Sequence, residues 1–168
     1  MTNRTPKALR GLLFGAIAGA GAAWAMNQFQ ALLSEASQPR SRAQPQSEAA
    51  SEDATMKAAN RVAQAVHFRP LTQQEKSDAG SLVHYAMGTL SGAAYGVAAE
   101  YFPQARAGFG LLFGALLFAL ADETAVPLAG LSESPLHYPL PSHLRALASH
   151  LVYGASTEAV RSTLVRAA

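Results

Sequence analysis

The sequence predicts an all-α fold, an integral membrane bundle of four transmembrane helices. Three observations carry this. Charged residues make up 14% of the 168, against roughly a quarter in ordinary soluble domains. Those charges avoid four long stretches and crowd between them. Within the stretches glycine returns every fourth position, as at Gly88, Gly92 and Gly96 in "HYAMGTLSGAAYGVAAEY". That spacing weakens a helix in water. In lipid, where the hydrophobic effect does not drive helices together, it lets backbones pack closely. A soluble Ala/Gly-rich four-helix bundle is the alternative; the Leu/Phe density of the third stretch argues against it.

The first span is placed near 9–30: Gly11 to Ser34 carries no charge and follows Arg4, Lys7 and Arg10. It is long enough to cross a hydrocarbon core, which takes about 20 residues. Ala23-Trp24-Ala25 would also serve as the cleavage site of a signal peptide. Against that, apolar character continues through Phe29, Leu32 and Leu33, and Trp24 suits a membrane interface. Residues 1–33 are therefore read as an N-terminal tail and first transmembrane helix. Residues 34–52, polar with Pro39 and Pro45, read as a flexible linker. Residues 53–68 place Met56, Ala59, Val62, Ala63 and Val66 at helical spacing. They form an amphipathic helix that lies on the bilayer surface or packs on its own protein.

Residues 72–168 are read as a three-helix membrane core. Thr72-x-x-Glu75 is a capping box that starts the second span, near 74–101. Gly80 to Ala99 is uncharged, and Phe102-Pro103 ends the helix. The third span, near 106–130, contains "AGFGLLFGALLFALA" and then meets Asp122 and Glu123. Ser142 is the expected N-cap of the fourth span, near 143–165. That span carries Arg145, His150, Glu158 and Arg161, and needs packing among other helices to be accommodated.

Two motifs occur twice. "GLLFGA" stands at 11–16 and 110–115, and Tyr-Gly-x-x-x-Glu at Tyr95 to Glu100 and Tyr153 to Glu158. Their A-B-A-B order is what duplication of one helical hairpin leaves. Common membrane residues arising by chance are the alternative. Small-residue ridges for helix packing are expected at Gly11, Gly15 and Gly19, at Gly88, Gly92 and Gly96, and at Gly110 and Gly114.

Because successive spans run antiparallel, ionisable residues sort by depth. His84, Asp122, Glu123 and His150 fall at one membrane side and form a candidate polar cluster, either a working site or a structural hydrogen-bond network. Glu100, Arg106, Glu158 and Arg161 fall at the other side. Glu100 and Arg106 are read as interfacial charges, and Glu158 with Arg161 as a pair on one helix face. His143 and His150, seven apart, are poor metal evidence. No close histidine pair, HExxH, nucleophile elbow, phosphate loop or cofactor fingerprint is present, so no metal, cofactor or catalytic residue is assigned. Cysteine is absent, and a net charge of +2 without a basic-aromatic run gives no sign of nucleic acid as a partner. Arg4, Lys7, Arg10, Arg106, Arg161 and Arg166 on one side favour both termini in the cytoplasm, but the long loop opposite carries Arg40, Arg42, Lys57, Arg61, Arg69 and Lys76, so the charge rule does not decide.

At this point the chain resembles the YagU-like family of bacterial inner-membrane proteins. The resemblance rests on His84, Ala99-Glu100-x-Phe102-Pro103, Gly110-Leu111-Leu112, Pro127-Leu128-x-Gly130-Leu131, His150-Leu151-Val152 and Glu158-x-x-Arg161, in order from His84 to Arg161. It implies an integral inner-membrane protein with no agreed biochemical activity. The family often has a lysine before the tryptophan of its first span and a glutamate three residues after it; here Ala23 and Asn27 occupy those places. The functional expectation is a small helix-packing or interaction module, not an enzyme. Its partners would be the bilayer and a second copy or another membrane protein. The alternative is a protein that conducts protons or a small solute, or senses pH, through the polar cluster.

Overall fold

The computed structural model describes residues 6–37, 53–67 and 69–168. Among these it is all-α, with five helices of ten residues or more. Helix α1 is Lys7–Ser37, α2 is Ala54–His67 and α3 is Gln73–Tyr101. Helix α4 is Leu111–Leu120; it passes through a π turn at Ala121–Ala125 into a last short turn, α5, Val126–Leu128. Helix α6 is Leu140–Ala167.

Helix boundaries follow local chemistry. Asp53 caps α2, its Oδ1 accepting the Met56 N–H at 2.8 Å. At α3 the capping box forms: the Thr72 N–H donates to Glu75 Oε2 at 2.8 Å, and Thr72 Oγ1 accepts from the Glu75 N–H. Pro103 stops α3 at Tyr101. Three sequence expectations need correction. Residues 34–37 of the expected linker belong to α1, while the rest of it, 38–52, lies outside the described residues. The third helix begins at Leu111 and not near 106, because Gly108, Phe109 and Gly110 all take positive φ and form a turn. Helix α6 starts at Leu140, capped by Pro139, so Ser142 lies inside it; Pro141 is tolerated because first-turn N–H groups have no helical acceptor.

Glycine seams set the packing. Helices α1 and α3 run antiparallel, with Gly11, Gly15 and Gly19 against Gly96, Gly92 and Gly88. A Cβ on Gly92 would stand 2.5 Å from both the Gly15 carbonyl oxygen and Gly19 Cα, so the two backbones touch. Helices α4 and α6 repeat the pattern, with Gly110 and Gly114 against Gly154 and the backbone of His150. The likeness is atom by atom. A Cβ on Gly96 would collide with the Gly11 carbonyl oxygen and face Gly15 Cα; one on Gly154 would collide with the Gly110 oxygen and face Gly114 Cα. Helix α1 also packs on α6, so the bundle comprises α1, α3, α4 and α6, with α2 laid against α3. Ala59 and Ala63 of α2 are buried, but Val62 and Val66 are exposed, so only part of the expected stripe faces the protein.

Burial is inverted relative to a soluble domain. Ser149, His150, Thr157, Glu158 and Arg161 are buried, whereas Ile17, Leu82, Leu90, Leu116, Leu120 and Leu144 are exposed. Two stretches are long and apolar enough to cross a membrane, Lys7–Ala36 and Pro103–Leu128.

Candidate functional site

The two ends of the bundle interior hold different polar chemistry. At the end near Gly11, Arg161 on α6 grips Glu158 with two bonds, Nε to Oε2 at 2.7 Å and Nη2 to Oε1 at 2.8 Å. The Tyr95 hydroxyl of α3 donates to the same Glu158 Oε2 at 2.7 Å. Arg10 of α1 donates to Glu100 Oε2 at 2.6 Å, and Arg161 Nη1 stands 3.8 Å from Glu100 Oε1. Two guanidinium groups thus neutralise two carboxylates across α1, α3 and α6. Arg106 is exposed and takes no part. The Glu100 side chain is 7% exposed and paired with Arg10. In the sequence Arg10 is only a topology signal, and the Tyr-Gly-x-x-x-Glu motif sets Tyr95 with Glu100, not with the Glu158 that it bonds; no spacing links Arg10 to Glu100.

The other end holds a cavity of about 510 Å³ between α1, the start of α2, α3, the π turn and α6. His84, Asp122 and His150 line it together with Ser91 and Met26. Its volume lies within the ~300–1,000 Å³ usual for small-ligand sites. The π turn aims the carboxylates. Such one-turn widenings shift the side chains that follow relative to a regular helix and are frequent at functional sites. Asp122 faces the cavity, with Oδ2 3.6 Å from His150 Nδ1. His150 Nδ1 lies 3.0 Å from the Ala146 carbonyl, to which it donates. At 3.6 Å the Asp122 contact is too long for a hydrogen bond.

The expected cluster therefore divides. His84 lines the cavity but its Nε2 is 3.4 Å from the Ala23 carbonyl oxygen, with no carboxylate contact among the described residues. Glu123 turns away to His143, Oε1 to Nδ1 at 2.7 Å, and His143 Nε2 lies 3.0 Å from the Pro135 carbonyl oxygen. Both ring nitrogens of His143 face acceptors, an arrangement completed by an imidazolium that donates from each. His143 was weighed only as a metal ligand; its partner comes from a helix 20 residues away along the chain. Tyr153 is a further addition. Its hydroxyl donates to the Gly88 carbonyl oxygen at 2.6 Å, joining α6 to the floor of the cavity. Among the described residues no three His, Cys, Asp or Glu side chains converge to hold a metal ion.

The glycine ridges expected as contact surfaces are occupied inside the chain, each against another glycine or a backbone carbonyl. They do not offer a free face to a partner.

A family model for proteins of unknown function, DUF1440, matches residues 38–159. The chain belongs to the DUF1440 family. The match covers the cavity residues His84, Asp122 and His150 on α3, the π turn and α6, but not α1 or Arg161. In this DUF1440 protein the Arg10–Glu100 pair accordingly joins a matched helix to one outside the match. No curated protein and no solved structure matches the chain.

Proposed function

We propose that this DUF1440 protein is a YagU-like, four-span protein of the bacterial inner membrane that binds a small solute in its polar cavity. The observation that carries the reading is the convergence of His84, Asp122 and His150, from three separate parts of the bundle, on one 510 Å³ space. Ionisable groups within a membrane bundle are costly there, and such groups mark solute or proton sites by default. Occupied glycine ridges count against the rival reading as an interaction module, because its surface is already used.

Four spans rest on the inverted burial. Helices α3 and α6 are less apolar than the two candidate spans, and Gly92, Gly96, His150, Gly154, Glu158 and Arg161 are buried on them while Leu82, Leu90 and Leu144 face out. Retention of α1 is supported by its seam: cleavage after Ala25 would strip Gly11, Gly15 and Gly19 from α3. The matching seams of α1/α3 and α4/α6 support a duplicated hairpin. Both termini lie in the cytoplasm on this reading, and the cavity opens toward the other side. On this reading the protein binds without catalysis: among the described residues no hydroxyl of the cavity wall is hydrogen-bonded to a histidine.

The natural chain has no cysteine, so single-cysteine variants test the reading directly. In sealed right-side-out vesicles, Ser91→Cys should react with a charged, impermeant maleimide. Ala18→Cys, at a fully buried position, should not. Reporter fusions at Gln46 and the C-terminus should fall on opposite sides. An unreactive Ser91→Cys in both vesicle orientations removes the water-accessible site; same-side reporters remove the topology.

A further inference from the structure

We infer that the cavity takes an organic cation with an apolar body beside its charge, a deepening that rests on the small-solute reading above.

Charge is the first argument. Asp53 and Asp122 line the cavity, and among the described residues no lysine or arginine does. Asp53 is held as the cap of α2, its Oδ1 accepting the Thr55 hydroxyl at 2.7 Å and the Met56 N–H at 2.8 Å. Asp122 is different. Its one charged-group contact of opposite type among the described residues is His150 Nδ1 at 3.6 Å, and that nitrogen donates to the Ala146 carbonyl. This carboxylate, held on a π turn at the cavity wall, has acceptor capacity left and no closer cation among the described residues. In a low-dielectric bundle such a group gains most from a ligand that brings the charge with it.

The remaining walls argue for the apolar body. Met26, Met56 and Met87, every methionine after Met1, line this one space, and the Tyr153 ring and Leu117 join them. Thioethers are polarisable and flexible and adapt to irregular apolar shapes. Aromatic faces attract cations. A small inorganic cation would need a convergent ligand set, which the described residues do not supply. An anion would meet the free carboxylate.

The test uses the full-length chain in phosphatidylcholine nanodiscs, titrated calorimetrically with benzyltrimethylammonium, benzyl alcohol or phenylacetate, against empty nanodiscs. Benzyltrimethylammonium should bind and the other two should not. Asp122→Asn should weaken it at least about tenfold, the loss of one charge partner. Ser91→Leu, which fills the cavity and keeps the carboxylate, should weaken it likewise, and Asp78→Asn, exposed on α3, should leave it unchanged. Helix content by circular dichroism checks that each variant is folded, and Ser91→Leu keeps the test intact if Asp122→Asn is not. Binding of benzyl alcohol or phenylacetate that Ser91→Leu abolishes overturns the cation class and leaves the solute cavity standing. Cation binding unchanged in Asp122→Asn also overturns it. Absence of binding by all three probes overturns both.

Discussion

The hairpin of α1 and α3 and the hairpin of α4 and α6 start from the same seam and end differently. In the first, glycine meets glycine at three successive levels, and the backbones stay in contact from Gly11 to Gly19. In the second, contact is closed at Gly110 with Gly154 and at Gly114 with the His150 carbonyl, and beyond that last glycine α4 widens into its π turn. Close packing ends where glycine ends, and the cavity lies at that level. Small residues thus do two things here: their presence builds the frame, and their absence on one helix makes the space that the frame encloses.

The largest effects should come from breaking the seams. Gly92→Ala puts a methyl group 2.5 Å from backbone atoms of α1, which only helix separation can relieve. We expect a loss of about 3 kcal/mol or more, in the range of severe overpacking, read by denaturant titration in micelles. Gly154→Ala should match it, since its clash with Gly110 and Gly114 is equivalent. A mild Gly154→Ala would break the comparison of the two hairpins.

Next come the buried charges that tie the hairpins together. Arg161→Ala leaves Glu158 without a guanidinium and Glu100 with Arg10 alone, and should cost about 3–5 kcal/mol, as for a broken buried pair. Replacing Glu158 and Arg161 together by Gln and Leu should recover part of that loss. If the single and double variants are equally unstable, the network holds no charge that needs its partner.

A smaller change sharpens the comparison from the other side. Gly21 lies on α1 with nothing within 4 Å of an added Cβ. Gly21→Ala should stabilise by up to about 1 kcal/mol through helix propensity alone. A loss of stability at Gly21 would mean that α1 meets something outside the described residues.

The smallest effect lies at the start of α3, ahead of the uncharged stretch that begins at Gly80. The Arg69 guanidinium, with the Thr72 N–H and hydroxyl, lowers the Glu75 carboxyl from 4.5 to about 2. A depressed acid contributes stability that is present above its unfolded value near 4.5 and is lost as pH falls toward 2. Glu75→Gln should therefore melt slightly below the parent at pH 7 and match it near pH 2. A difference that persists at pH 2 would assign the effect to packing and not to charge.

Much of this molecule was determined by the sequence itself. Helix class, the capping box at Thr72 and Glu75, the stop at Pro103 and the glycine spacing are local properties, set by propensity and hydrogen-bond capacity within a few residues. Position along the bundle could also be read from the chain: antiparallel helices put His84, Asp122 and His150 toward one end by counting alone, and the three line one cavity. Partners could not. Adjacent residues on a helix point about 100° apart, so whether Asp122 or Glu123 meets a given histidine depends on the rotation of α4 against α6, and the π turn resets that rotation. The same holds for Arg10, which reaches Glu100 only because the glycine seam brings α1 against α3 in this register. Tertiary packing alone decided which glycine faces which backbone, which charges cancel, and where the packing leaves a space, because each of these is a distance between helices that local sequence does not encode.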